Sequence, residues 1–145
     1  MTGESQFLYL DREDYKRLHG QLAAWAVAQG EPVPSFELAR EADLDALIQT
    51  PQKHFFGHVA YPTLEDKAAI IFYTINKRQI FLNGNKRMST LALLVFLSIN
   101  NRTLDIAPNE LTEKALWLAN TESLEFMEIK EALAQWIREH LCETT

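Results

Sequence analysis

Residues 79–97, QIFLNGNKRMSTLALLVFL, join a glycine turn and a Lys-Arg pair to a long apolar run. Leu91, Leu93, Leu94, Val95, Phe96, Leu97 and Ile99 cover the whole circumference of a helix predicted from about Asn85 to Asn100. A helix apolar all round belongs at the centre of a bundle. The run is far too short to span a bilayer. Its start is unusual. The first turn of a helix leaves backbone N–H groups without partners, and the aligned peptide dipoles make that end partly positive. Acids normally stand there, but this chain has Lys86 and Arg87, an arrangement that costs a few tenths to about one kcal/mol unless an anion offsets it. Gly84 would let the backbone approach such an anion, the free N–H groups of the turn would face it, and the two cations would add charge; phosphate is the natural guest. A plain turn also fits, with Asn83-Gly84 as a turn dipeptide, Asn85 as N-cap and two solvated cations. The residues alone leave both readings open.

Outward from that stretch the periodicity is helical nearly throughout. Asp11 is the expected N-cap of a helix from about Arg12 to Gln29, with Tyr15, Leu18, Leu22, Trp25 and Ala26 on one face and Gly30 as its stop. Ser35 is the expected cap of a second helix reaching Thr50, ahead of Pro51. Pro51 to Thr63, with two prolines, a glycine and several aromatics, reads as an irregular flap. A third helix is predicted from about Leu64 to Arg78, a fifth from Leu111 to Asn120 with Asn109 ahead of it, and a sixth from Leu124 to Leu141. No alternating strand is legible. The expected fold is all-α, about six helices around the apolar fourth, in a single domain over residues 1–145. Trp25, Trp117 and Trp136 read as core anchors.

The composition narrows the function. One cysteine, Cys142, excludes an internal disulfide framework and fits a reducing compartment. The N-terminal stretch lacks the order of a signal peptide, so a cytoplasmic location is expected, with no membrane partner. Net charge is −6, which argues against nucleic acid as a partner. Between Asp66 and Asp105 there is no acid, while Lys67, Lys77, Arg78, Lys86, Arg87 and Arg102 supply six positive charges. That island points to a local anion site rather than a general polyanion surface. His19 and His140 have no metal-ligand spacing, and His54 and His58 in the flap read as surface or packing residues.

The segment IFLNGNKRMST (80–90) resembles the core motif of the Fic/Doc family, which reads His-x-Phe-x-(Asp/Glu/Asn)-(Gly/Ala)-Asn-(Lys/Gly)-Arg. Phe81, Asn83, Gly84, Asn85, Lys86 and Arg87 match it, so the motif here spans residues 79–90. Lys86 and Thr90 resemble the Doc (death-on-curing) branch, since AMP-transferring relatives usually carry glycine and a second arginine at those places. The resemblance implies a Fic/Doc-type helical bundle with a flap beside the loop, and transfer of a phosphoryl or nucleotidyl group from ATP to a hydroxyl of a target protein. It also implies a toxin held by an antitoxin partner, with a translation factor such as elongation factor Tu as target. Carried over by position, the backbone of Gly84 and Asn85 would cradle phosphate, Lys86 would grip a phosphate oxygen and Arg87 would neutralise charge in the transition state. Phe81 would lock the loop against the core. Asn83 stands where many relatives have an acid that helps hold magnesium, for which a neutral amide is a weaker ligand.

Gln79 occupies the position of the motif histidine. In the family that imidazole accepts the proton of the attacking hydroxyl, a step for which an amide has no protonation equilibrium; loss of such a base costs about 10²–10⁴ in rate. The expectation is a toxin-type transferase scaffold that keeps its nucleotide seat and has lost its chemistry at Gln79. The alternative is a natural pseudoenzyme that acts as a nucleotide- or protein-binding module.

Overall fold

A computed structural model of the chain describes residues 7–144. Asp11 caps α1 (Arg12–Ala28) through a reciprocal pair of bonds: its carboxylate accepts from the Asp14 N–H, and the Asp14 carboxylate accepts from the Asp11 N–H, both at 2.9 Å. Tyr15, Leu18, Leu22 and Ala26 form its buried face. Thr63 and Asp66 make the same device at the start of α3 (Leu64–Arg78). α4 (Asn85–Ile99) follows the glycine turn, and α5 (Pro108–Ala119) and α6 (Phe126–His140) complete the bundle. Its centre is a helix pair. α3 buries ten of its 15 residues against α4, α5 and α6, while α4 buries seven, including Met88, Ala92, Leu93, Phe96 and Leu97, and leaves Leu91, Leu94 and Val95 half-buried.

Three expectations are corrected. The second helix is not continuous. Ser35 does cap, accepting from the Glu37 N–H at 3.2 Å, but the turn it starts is a single 3-10 turn (Phe36–Leu38). The chain then extends through Ala39 and Arg40 before α2 (Glu41–Gln49) begins. A long-range contact makes the break: the Arg40 N–H donates to the Ile80 carbonyl at 2.9 Å, and Phe36 is buried beside Phe81. Helix propensity in the segment yields to this tertiary bond with the approach to the glycine turn.

Short strands also exist where none was legible. The flap folds as a hairpin of β1 (His54–Phe55) and β2 (His58–Val59) around Phe56 and Gly57, both at positive φ. β3 (Arg102–Leu104) pairs antiparallel with β4 (Leu141–Glu143), so α6 stops at His140 and the chain turns back beside the end of α4. Strands of two and three residues are too short to show a period of two. Helix starts shift as well. α5 begins at Pro108, whose missing N–H is not needed in a first turn, and α6 begins at Phe126 because the Glu128 carboxylate accepts from the Glu125 N–H at 3.0 Å.

Lys67, Arg78 and Arg102 of the basic island have separate partners. Lys67 is buried and donates to the Pro51 carbonyl at 2.8 Å. Arg78 pairs with Asp43 at 2.7 Å, and Arg102 lies 3.8 Å from Glu143. Lys130 of α6 meets Asp66 of α3 at 3.0 Å, with side chains 7 % and 10 % exposed. Among the described residues, no helix is long and apolar enough to cross a membrane.

Candidate functional site

The turn between α3 and α4 is held from beneath by two side chains. Phe81 is fully buried, with its ring centroid 5.5 Å from that of His19 on α1 and 6.1 Å from that of Phe36. Asn85 is the first residue of α4, not its cap. Its Oδ1 accepts from the Phe81 N–H at 3.0 Å and its Nδ2 donates to the Phe81 carbonyl at 2.7 Å. That side chain faces inward and closes the loop on itself, so any contribution of Asn85 to a ligand runs through its backbone. The backbone role agrees with the resemblance; the inward bonds of the side chain, which the plain-turn reading would have used as a cap, were not foreseen.

Gly84 is the residue that precedes the helix, at φ +79. A Cβ there would stand 2.9 Å from Leu22 Cδ2 on α1. The close approach that the missing Cβ permits is to α1, and Gly84 also lines the cleft described below. The Gly84 N–H donates to Asn83 Oδ1 at 2.7 Å. The first bond of α4 runs from the Met88 N–H to the Gly84 carbonyl at 2.8 Å, so the N–H groups of residues 85–87 precede the helical ladder.

Above this helix start lies an open cleft of about 650 Å³. Gln79, Leu82 and Asn83 line it from the turn, and Lys86, Arg87 and Thr90 line it from α4. Lys86 and Arg87 are both exposed and face this hollow. α1 supplies the opposite wall through Gln21, Leu22 and Trp25, and α5 adds Thr112. Trp25 is thus not a core anchor. It is 42 % exposed, and the Arg87 Cζ sits 4.2 Å from the centroid of its ring. Gln21 and Trp25, four residues apart, occupy the α1 face that turns toward the start of α4 rather than inward. Trp117 and Trp136 do pack on the core, half-buried, with Lys114 between their rings at 4.7 and 5.1 Å.

Gln79 ends α3 in the left-handed conformation, φ 52, and its Nε2 donates to the Asn76 carbonyl at 3.0 Å. The residues lining the cleft include no carboxylate, imidazole or thiol; His54 and His58 lie in the hairpin and do not line it. A general base is missing from this wall. The donor set is equally poor for magnesium, a hard cation that favours carboxylate oxygens: the turn offers Asn83 Oδ1, already engaged with the Gly84 N–H. The residues do not fit a protein-held magnesium, and nothing below is routed through one. A helix start and two cations without a carboxylate partner among the described residues have the chemistry that suits an anion such as a polyphosphate.

His19, behind the loop, carries a measurable consequence. Burial pushes its imidazole below the ordinary value of 6.5. The unfolded chain then takes up a proton at a pH where the folded chain resists it, so stability falls as pH drops below about 6.5 and levels off below the folded value. The urea midpoint is expected to fall between pH 7.5 and pH 5.5, and to fall less in His19→Gln.

The chain is thus a helical bundle whose apolar inner helix begins, through a glycine turn, at a cationic cleft. The chain belongs to the Fic/DOC family, whose sequence profile it matches over residues 9–97. That span runs from before α1 to near the end of α4 and holds every lining residue of the cleft except Thr112. Among similar proteins is Toxin Doc of Mycolicibacterium smegmatis, 36 % identical over 92 residues, which are 63 % of this chain and 64 % of that protein. The match thus spans under two thirds of that toxin's length.

Proposed function

We propose that this protein is a toxin-type member of the family that seats the phosphates of a nucleotide, ATP by family habit, over the start of α4, and that transfer chemistry is lost at Gln79. One observation carries the reading: Lys86 and Arg87 both line the cleft at the start of α4, whose first N–H groups precede the helical ladder, and no acid lines it. In this reading backbone N–H groups of the first turn and the Lys86 ammonium hold phosphate oxygens. Arg87 offers its in-plane donors to charge that develops on the transferred group. The acceptor is a hydroxyl of a target protein, with a translation factor such as elongation factor Tu as the candidate that the resemblance supplies. The name of the mycobacterial relative supports a toxin–antitoxin setting and hence an antitoxin partner.

The second reading, a binding module that acts by occupancy, is favoured by the Gln79 amide. It is turned back on Asn76 in a wall without a titratable base, so the protein as it stands would hold a nucleotide without passing on any part of it.

Calorimetric titration with ATP tests the seat. The wild type is expected to bind with or without magnesium, and Arg87→Ala is expected to weaken binding about 10- to 100-fold, the range for losing a hydrogen bond to a charged group. Unchanged affinity in Arg87→Ala would sink the seat as drawn.

A further inference from the structure

We propose that Trp25 is a positioning residue for Arg87: its indole holds the guanidinium flat and leaves the in-plane N–H groups to meet an anion at the start of α4. This rests on the phosphate seat proposed above and adds to it a part that lies some sixty residues upstream of the motif, on a different helix.

The geometry points there in three ways. First, the 4.2 Å separation between the Arg87 Cζ and the indole centroid is well inside the range of about 6 Å over which a cation is attracted to a ring face. Stacking uses the face of a guanidinium, while its N–H donors lie in its plane, so the two contacts do not compete. Second, those donors are not spent on an acid. Arg12 also lies over a ring, that of Phe36 at 5.4 Å, but its nitrogens are taken by Glu41 at 2.6 and 2.8 Å. Arg87 has no carboxylate partner among the described residues, and the cleft has none to offer. Third, α1 is packed against the turn and carries the ring with it. Leu22 of the same helix packs against Gly84, where an added Cβ would meet its Cδ2 at 2.9 Å, so α1 lies close against the turn.

A free arginine on an open surface samples many rotamers, and ordering it on ligand binding opposes affinity. A stacked arginine has given up much of that freedom beforehand. Trp25 therefore acts on affinity through Arg87 and touches no reacting atom.

The test is a double-mutant cycle read by calorimetry with two ligands, ATP and inorganic tripolyphosphate, on Trp25→Ala, Trp25→Phe, Arg87→Ala and Trp25→Ala/Arg87→Ala. Circular dichroism and a urea midpoint establish that each variant is folded. Trp25→Ala is expected to weaken both ligands alike, by about 3- to 30-fold, the affinity equivalent of a cation–π contact. Trp25→Phe should retain most of the affinity, and Trp25→Ala should add no further loss once Arg87 is gone. Loss with ATP but not with tripolyphosphate would mean that the indole stacks on the nucleobase instead. An equal loss with and without Arg87 would reduce Trp25 to packing. No loss at all would overturn the proposal while leaving the seat intact. A wild type that binds neither ligand would remove the seat, and this proposal with it.

Discussion

Gln79→His is expected to turn the protein into a working transferase, passing label from ATP to a translation-factor fraction about 10²–10⁴ times faster than the wild type does. The backbone should accept the change without rearrangement. Position 79 lies in the left-handed region at the end of α3, where histidine is among the better tolerated non-glycine residues. An imidazole there has one nitrogen for the Asn76 carbonyl, which the Gln79 Nε2 now reaches at 3.0 Å, and a second that can accept a proton. The cleft is otherwise without a base, so the gain should follow the titration of that one group and rise with pH through the neutral range. Slowed growth of bacteria that express the variant would be a second sign. A folded variant that binds ATP as the wild type does and still transfers nothing would show that more than the base has been lost.

The largest stability effect is expected far from the cleft. Lys130→Met should destabilise the fold by about 3–5 kcal/mol, the range for breaking a buried ion pair from one side, because it strands the Asp66 carboxylate between α3 and α6. Burial by itself would raise Asp66, yet the hydrogen bonds that its carboxylate accepts from the Lys130 ammonium and from the Thr63 N–H outweigh it and hold the carboxyl below its ordinary value. For Lys130, burial by itself would lower the ammonium, and its bonds to Asp66 and Glu131 raise it instead. The signs define a window. The Asp66 contribution is present above the ordinary carboxylate value and fades as pH falls through the depressed folded one. The Lys130 contribution is present below the ordinary lysine value and fades as pH rises through the elevated one. Asp66→Leu/Lys130→Met should recover most of the loss, short by about 1 kcal/mol for the helix cap that Asp66 also makes. Urea unfolding at pH 7 measures all three; a single variant within 1 kcal/mol of wild type would mean that water reaches the pair freely.

Much of this architecture was legible in the residues, and the exceptions share a cause. Asp11 and the apolar period of α1, α3 and α6 announce their helices because caps and faces are local signals. The turn was legible because Lys86 and Arg87 stand where a helix would otherwise have acids. What escaped was decided at long range. The break at Arg40 depends on Ile80, forty residues on; the β3–β4 ladder joins segments from opposite ends of α5 and α6. Trp25 carries the same apolar spacing as a core residue, and only the approach of α4 shows that its ring belongs to the cleft. Thr112 had no signal at all. For the inward turn of Asn85 there was one: an amide directly after a glycine at a helix start can bond backward as readily as it can cap.

That amide sets the physical character of recognition. With both of its bonds spent on Phe81, the loop is already cast before any guest arrives, and little chain has to settle upon docking. Association should therefore proceed in one fast phase, limited by encounter, with a heat-capacity change near that of the guest's own desolvation and no added signature of folding.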